Sequence, residues 1–456
     1  MARQFLTDIE LGDQRELRFE DADSSHYVGF KSPATVTTNR IWTLPAADGT
    51  SSQVLSTNGS GVLSWATSGG GGGLTHFAES ESTASPNATV PVDALTATDA
   101  SYTNIDVALV TKGSGATLAQ VPDATATGGD KRGTNATDWQ KVRSSATQVA
   151  SGSRSTISGG ANNTASGSRA AVVGGDSNTA SSTYAFVGCG QSNSASIAHS
   201  FVGGGQSNTA STSSHATVCG GSTNTASGQY SFVGGGQSNT ASGSWCGSLS
   251  GITNVASGTY SAIAGGSSNV AFASNSFVGG GDNNRANGIS SCISGGANGT
   301  ARLVVGYHVF PACNGPIATT QGCTQSALLL LGRQTTDATA TVLASNSSAA
   351  ATTNQVTLPN NSAYSFSGEV IAGVTGAGDS ARWTIDGAIK RGANAASTAM
   401  IGTPTVVMTH FDAGAATWVV AVTADTTNGG IKVEVTGAAA TTIRWVCKIN
   451  TTEMTY

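Results

Sequence analysis

Charge is scarce in this chain. Lysine, arginine, aspartate and glutamate make up 10% of its 456 residues, against about 25% in a typical globular domain. Disordered chains combine low hydrophobicity with high charge, so the scarcity points to folded, low-charge architecture instead. No basic run or stripe of Lys and Arg occurs, which argues against a nucleic-acid partner. No stretch of about 20 apolar residues occurs, so no membrane insertion is expected. The first residues, MARQFLTDIELGDQRELRFEDAD, carry acids throughout and lack an apolar segment. A secretory signal is therefore not expected, and the chain should fold in the cytoplasm where it is made. The seven cysteines (Cys189, Cys219, Cys246, Cys292, Cys313, Cys323 and Cys447) are odd in number and contain no CxxC pair. Zinc is thus disfavoured, and buried or half-buried free thiols are the expectation, with a Cys313–Cys323 bridge the alternative in an oxidising setting.

What is abundant is glycine, 60 residues of it, with Ser, Thr, Ala and Asn. The segment SFVGGGQSNTAS occurs at 200–211 and again at 231–242, and SFVGGGDNNRAN begins at Ser276. Alignment on it yields ten consecutive units, starting at Ser151, Ser166, Ser181, Ser196, Ser211, Ser227, Ser242, Ser257, Phe272 and Asn287 and ending at Ala301. Nine have 15 residues and the Ser211 unit has 16. Self-similarity of this kind marks a solenoid-like array.

Each unit position suggests a role. Position 10 is always glycine: Gly160, Gly175, Gly190, Gly205, Gly221, Gly236, Gly251, Gly266, Gly281 and Gly296. Glycine belongs where φ is positive or another backbone comes close. Position 13 is asparagine in nine units (Asn163, Asn178, Asn193, Asn208, Asn224, Asn239, Asn254, Asn269 and Asn284) and Gly299 in the last. The exchange of Asn for Gly predicts a left-handed conformation there. Position 15 is always alanine, as expected at a crowded inner corner. Position 7 is the steady apolar site: Ile157, Val172, Val187, Val202, Val218, Val233, Ile263, Val278 and Ile293, with Leu249 one place late in its unit. Position 6 adds Phe186, Phe201, Phe232 and Phe277. Neighbouring strand residues point to opposite faces, so one of these rows fills the coil and the other needs cover from outside. Soluble monomers avoid such exposed rows, so another chain is expected to supply the cover. Each unit then reads as one coil of two short strands and two turns, stacked at about 4.8 Å. Position 4 (Arg154, Arg169, Tyr184, His199, His215, Tyr230, Trp245 and Tyr260) reads as a surface ladder of large amphipathic groups, for stacking or for contact with a glycan or surface.

These repeats resemble the head repeats of YadA-type trimeric adhesins, parallel β-rolls in which three chains pack side by side, and similar rolls of bacteriophage tail fibres. The resemblance covers 151–301, with 15-residue units against the usual 14. The chain shows neither the signal peptide nor the C-terminal membrane barrel of the bacterial adhesins, which favours the phage branch.

The flanks differ. In 1–68, ELRFE (16–20), HYVGFK (26–31) and IWTLP (41–45) read as strands, and VLSTNGSGVLSW (54–65) as a hairpin about Asn-Gly-Ser-Gly. GGGGG at 69–73 is a hinge by composition. Segment 74–150 reads as a connector and roll cap, with NIDVALVTKGSGATLAQV (104–121) a strand–turn–strand and GGDKRGTNATDWQKVRS (128–144) carrying the local cations. Segment 302–456 offers eight candidate strands with turn signals between them, implying a β-sandwich or jelly roll. NRIWTLPAADGTSSQVLSTNGSGVLSWA resembles the N-terminal, virion-attaching part of phage fibres. The stretch TADTTNGGIKVEVTGAAATTIRWVCKINTTE resembles their C-terminal domains, which meet host receptors.

Chemistry is not evident. No P-loop lysine follows the glycines. GGGD at 279–282 lacks the every-unit aspartate and nine-residue period of calcium repeats. Glycosidase chemistry needs two carboxylates about 5–10 Å apart; Asp379 with Asp386, or Asp412 with Asp425, are the pairs the C-terminal segment offers. The expected fold is therefore all-β: a small N-terminal β domain, a ten-coil parallel β-roll shaft and a β-sandwich tip. The expected role is non-enzymatic, without metal or cofactor: a phage tail fibre, homotrimeric, joined to a tail or baseplate protein by its N-terminus. The tip would bind a host surface glycan or outer-membrane protein, with Trp383, Trp418 and Tyr456 as candidate contacts, although the two tryptophans sit inside strand patterns that favour core packing. The alternatives are a structural head or tail decoration without a receptor, and an ice- or glycan-surface-binding solenoid using the Thr-Ala-Ser step at positions 14, 15 and 1.

Overall fold

The computed structural model describes residues 15–39, 41–51, 53–67, 77–82, 92–97, 109–313, 316–376 and 378–456. The chain divides into two units, Met1–Ala108 and Leu109–Tyr456. The described residues are almost entirely strand and turn, so the all-β expectation holds.

In the first unit, Leu17–Glu20 pairs antiparallel with Tyr27–Phe30, and Gln53–Thr57 with Leu63–Thr67. The second pair is the anticipated hairpin. Gly59 and Gly61 take positive φ in its turn, and the Asn58 carboxamide oxygen accepts from Ser60 N at 2.8 Å. IWTLP contributes only a bridge at Thr43 to Val62. Phe77–Ser82 pairs with Val92–Ala97. The glycine run at 69–73 and the first arm of the 104–121 segment lie outside the described residues.

The second unit is built on the repeat. Positions 6 and 7 of each coil form a two-residue strand that pairs in parallel, in register, with the next coil, as Phe186–Val187 does with Phe201–Val202. Positions 14 and 15 form a second ladder of nine strands, from Thr164–Ala165 to Arg285–Ala286. Position 11 adds a third row of parallel bridges, from Val142 through Ala161 to Ala297. A coil thus has three ladders rather than the two anticipated. Position 7 points inward and is buried throughout, beside the position-15 alanines. Leu249 departs from expectation. It is 53% exposed, and Ser248 takes the inner place, with Cys246 buried nearby.

The first ladder continues past both ends of the repeat. Thr117–Leu118 and Thr137–Asp138 join it at one end and His308–Pro311 at the other. The turn expected at Lys112–Gly115 is present, but Thr117–Leu118 pairs in parallel with a coil strand rather than in a hairpin. His308–Pro311 then pairs antiparallel with Thr324–Thr335. That strand opens a large antiparallel sheet through Ile443–Thr455, Ser362–Val374 and Ser380–Arg391 to Thr405–Phe411. A smaller sheet of Thr341–Val342, Gly430–Thr436, Val356–Thr357 and Val419–Asp425 shares its core. Two sheets about one core form the sandwich the sequence implied. The edge strand Thr405–Phe411 escaped the sequence reading because it is largely exposed, with no residue fully buried.

Candidate functional site

The coil turns dictate what the shaft shows to solvent. At position 10 every glycine has positive φ, between 83° and 101°. A Cβ there would lie about 2 Å from the carbonyl oxygen of the next coil, except at Gly296 in the last coil, where Pro311 O is 2.7 Å away. Both anticipated reasons for glycine therefore apply. Position 13 is a correction. The left-handed residues are those at position 12, such as Asn162, Ser177 and Thr223, not the asparagines that follow them. Asn163 through Asn284 are instead buried and bonded coil to coil. Asn208 shows the pattern. Its side-chain oxygen accepts from Asn224 N at 2.9 Å, and its Nδ2 donates to Gly204 O and Gly221 O, each at 2.8 Å. Gln140 supplies the first rung, its Oε1 accepting from Asn163 N at 2.7 Å. Gly299 ends the ladder because Pro311 fills the side-chain space, 2.3 Å from where a Cβ would sit.

The outward rows fall into distinct classes. At position 6, Phe201, Phe232 and Phe277 are 37–40% exposed, and Phe186 stacks on Phe201 at 5.1 Å. At position 14, Thr164, Thr179, Ser194, Thr209, Thr225 and Thr240 form a half-buried hydroxyl row before Val255, Val270 and Arg285 interrupt it. At position 4, six rings from Tyr184 to Tyr260 stack continuously, with centroids 4.5–5.6 Å apart, and Arg169 covers the Tyr184 end at 5.2 Å. Each of these residues has positive φ, a conformation costing roughly 1–2 kcal/mol for a residue with a Cβ. Stacking contributes about 0.5–1.5 kcal/mol per pair, enough to offset most of it. The ring faces are spent on one another, so the column presents edges and polar tips, not the open faces a stacking sugar would need.

Polar networks close both ends of the array. At the start, the Asp138 carboxylate is fully buried, 2.8 Å from Arg132 Nε and 3.2 Å from Arg143 NH2. Both arginines also donate to carbonyls of 127–148. At the other end, buried Glu453 accepts from Arg302 Nε (3.1 Å), Gln325 Nε2 (2.8 Å), Thr451 Oγ1 (2.8 Å) and the Tyr307 hydroxyl. Burial first, and then the Glu453 charge, push Tyr307 well above the ordinary tyrosine range. This network ties the last coil to the sandwich. Glu453→Gln should destabilise that junction by about 3–5 kcal/mol, because it leaves Arg302 a buried, unpaired cation. Denaturant midpoints of the two chains check this.

The tip tryptophans are core residues. Trp383 and Trp418 are each 3% exposed and pack on Trp445 at 5.6 and 5.7 Å. Their places alternate with outward residues, so both point into the core. Tyr456 is exposed. The carboxylate pairs do not assemble either. Asp379 and Asp386 lie seven residues apart along one extended segment, roughly 23 Å. Asp412 accepts from Ser380 N, whereas Asp425, at the far end of Val419–Asp425, holds its own turn through Thr427 N and Asn428 N. Among the described residues no group of three metal-ligating side chains occurs, and no helix is long and apolar enough to cross a membrane.

All seven thiols are free, Cys313 and Cys323 included, and Cys323 donates to Ala318 O at 2.9 Å. Cys189, Cys219 and Cys313 are exposed, contrary to the expectation of burial. Burial pushes Cys246 up to about 11 and Cys447 up to about 12. A maleimide at about pH 8 should therefore label Cys189, Cys219 and Cys313 quickly, and Cys246 and Cys447 only on unfolding. Peptide mapping against time checks this.

No family model matches the chain, and no curated protein does. Among solved structures, it is similar to the tailspike protein of Acinetobacter phage vB_ApiP_P1, at 8% identity and a TM-score of 0.16, covering 75% of this chain and 80% of that one. A likeness this low carries no argument about function.

Proposed function

We propose that the chain is a bacteriophage fibre protein. It forms a homotrimer, the first unit joins it to the virion, the solenoid is the shaft, and 302–456 adheres to a host surface structure. The observation that carries this reading is the outer row of half-exposed phenylalanines on a shaft with almost no charge, Phe186, Phe201, Phe232 and Phe277. Packing against two further copies gives that row the cover it lacks in one chain. Three tips on one fibre multiply a weak contact through effective concentration.

A second reading has one observation in its favour. The hydroxyls of six consecutive coils, Thr164 to Thr240, stand in register on one ladder, as a surface-binding solenoid would require.

Two experiments test the fibre reading. Gold-labelled antibodies against the two ends of the chain should mark a virion-proximal N-terminus and a distal C-terminus. The purified chain should also compete with phage for adsorption to host cells. Labelling of the fibre along a capsid, with no competition, would favour a decoration without a receptor.

A further inference from the structure

The outer face of the large tip sheet is divided. One half mixes the apolar Leu330, Ile371, Val407 and Val446 with the charged Lys448, Glu369 and Arg382. The half next to the shaft carries Ser326, Ser365, Ser367, Asp386, Asn450 and Thr452. Aspartate and asparagine are poor strand formers, so local preference is set aside at Asp386 and Asn450, as it is at functional sites. Cross-strand register brings the six together. Ser326, Thr452 and Ser365 form one row, and Asn450, Ser367 and Asp386 the next. The small serines leave a trough of about 340 Å3, with Phe310, 51% exposed, at its rim. None of the six side chains has a hydrogen-bond partner among the described residues, although an exposed strand face offers neighbours at each side.

We infer that this trough is a saccharide-binding site, taking a neutral sugar with vicinal hydroxyls from a cell-surface glycan. The inference rests on the adhesive reading above and adds its ligand class and location. A carboxylate accepts from two adjacent hydroxyls. A carboxamide and hydroxyls both donate and accept, which suits a ligand whose polar groups are mostly hydroxyls. The Phe310 ring offers an apolar surface to the C–H face of a sugar. None of the lining residues is a cation, so Asp386 disfavours acidic sugars. A peptide is less well served. The trough lies mid-sheet, where Ser362–Val374 is paired on both sides, so no free strand edge is available for a peptide to join.

The test uses the full chain on an array of purified bacterial lipopolysaccharides and capsular polysaccharides, with Ser367→Tyr to fill the trough and Asp386→Asn to remove the charge. Ile371→Thr, on the same face outside it, is the control. All three positions are on the surface of a paired sheet, and an unchanged thermal midpoint verifies folding. Binding should fall about tenfold or more in the first two variants, the loss of roughly one good polar contact or more, and stay unchanged in the third. Failure of the parent chain to bind any glycan, or full binding by Ser367→Tyr, overturns the proposal. Adsorption of fluorescent chain to a panel of bacterial strains separates this from the adhesive reading. Adsorption lost after periodate treatment of the cells supports the trough. Adsorption that survives periodate but not protease overturns the trough and keeps adhesion. No adsorption to any strain counts against adhesion itself.

Discussion

Gly236→Ala should prevent the shaft from forming, while Gly235→Ala, one residue earlier, should be nearly silent. The difference follows from what a single methyl group meets. At Gly236 φ is +86°, and the Cβ would lie 2.1 Å from Gly251 O and 2.8 Å from both Gly251 N and Asn239 Nδ2. That carbonyl cannot move aside, because it already accepts from Gln237 N at 2.9 Å and from Asn239 Nδ2 at 2.7 Å. Relief of the clash therefore breaks the contact between two coils. We expect a loss of about 5 kcal/mol or more, in the range reserved for the severest single substitutions. At Gly235 a Cβ meets nothing within 4 Å. There alanine should change stability by less than about 1 kcal/mol, and in the favourable direction if the unfolded chain is stiffened. Soluble yield and denaturant midpoint measured side by side decide the point. Equal tolerance of both substitutions would contradict the close coil stacking described here.

The second large effect lies in the buried amides. Asn239 Oδ1 accepts from Asn254 N at 3.0 Å, and its Nδ2 donates to Gly235 O at 2.8 Å and to Gly251 O at 2.7 Å. Asn239→Ala removes all three bonds and strands the amide of Asn254 in a fully buried place. Each buried group left without a partner costs about 1–3 kcal/mol, so a total of roughly 3–6 kcal/mol is expected. Asn239→Asp is the sharper variant. It conserves shape, but turns an oxygen toward two carbonyls and buries a charge, so it should be at least as damaging as alanine. A solenoid is stabilised chiefly between neighbouring coils, so the damage should begin locally. Hydrogen exchange should speed first at the amides of Asn254 and its neighbours. Uniform protection in both variants would sink the ladder as a source of stability.

The positions of these residues were legible in the sequence, but one of their roles was not. Ten repeats show which sites accept only one residue, and Gly at position 10 and Ala at position 15 could be interpreted from size alone. Asparagine at position 13 was open to two interpretations, since a left-handed turn and an inward-facing amide both favour it. The discriminating signal sat next door. Position 12 varies among Asn, Ser and Thr and is the left-handed residue, because a turn tolerates exchange. Position 13 barely varies, because a ladder of buried amides needs the same donor and acceptor in every rung. Gln140 and Glu453 were not legible at all. Gln140 starts the ladder from a coil outside the regular repeat, and Glu453 meets Arg302 across 151 residues of sequence. The inward tryptophans of the tip were legible from alternation, which places Trp383 with Ala381 and Ile385. The serine-lined trough was not, because its rows come from four strands whose register only the fold reveals.

The assembly itself remains the central claim, and its mass is the most direct test. Light scattering on the purified full chain should give three times the 45.1 kDa protomer, 135.3 kDa, as expected if the phenylalanine row is covered by two further copies. A particle of 45.1 kDa would contradict it. The row of Phe186, Phe201, Phe232 and Phe277 would then be open to solvent on a lone shaft, and the surface-binding solenoid would take the place of the fibre.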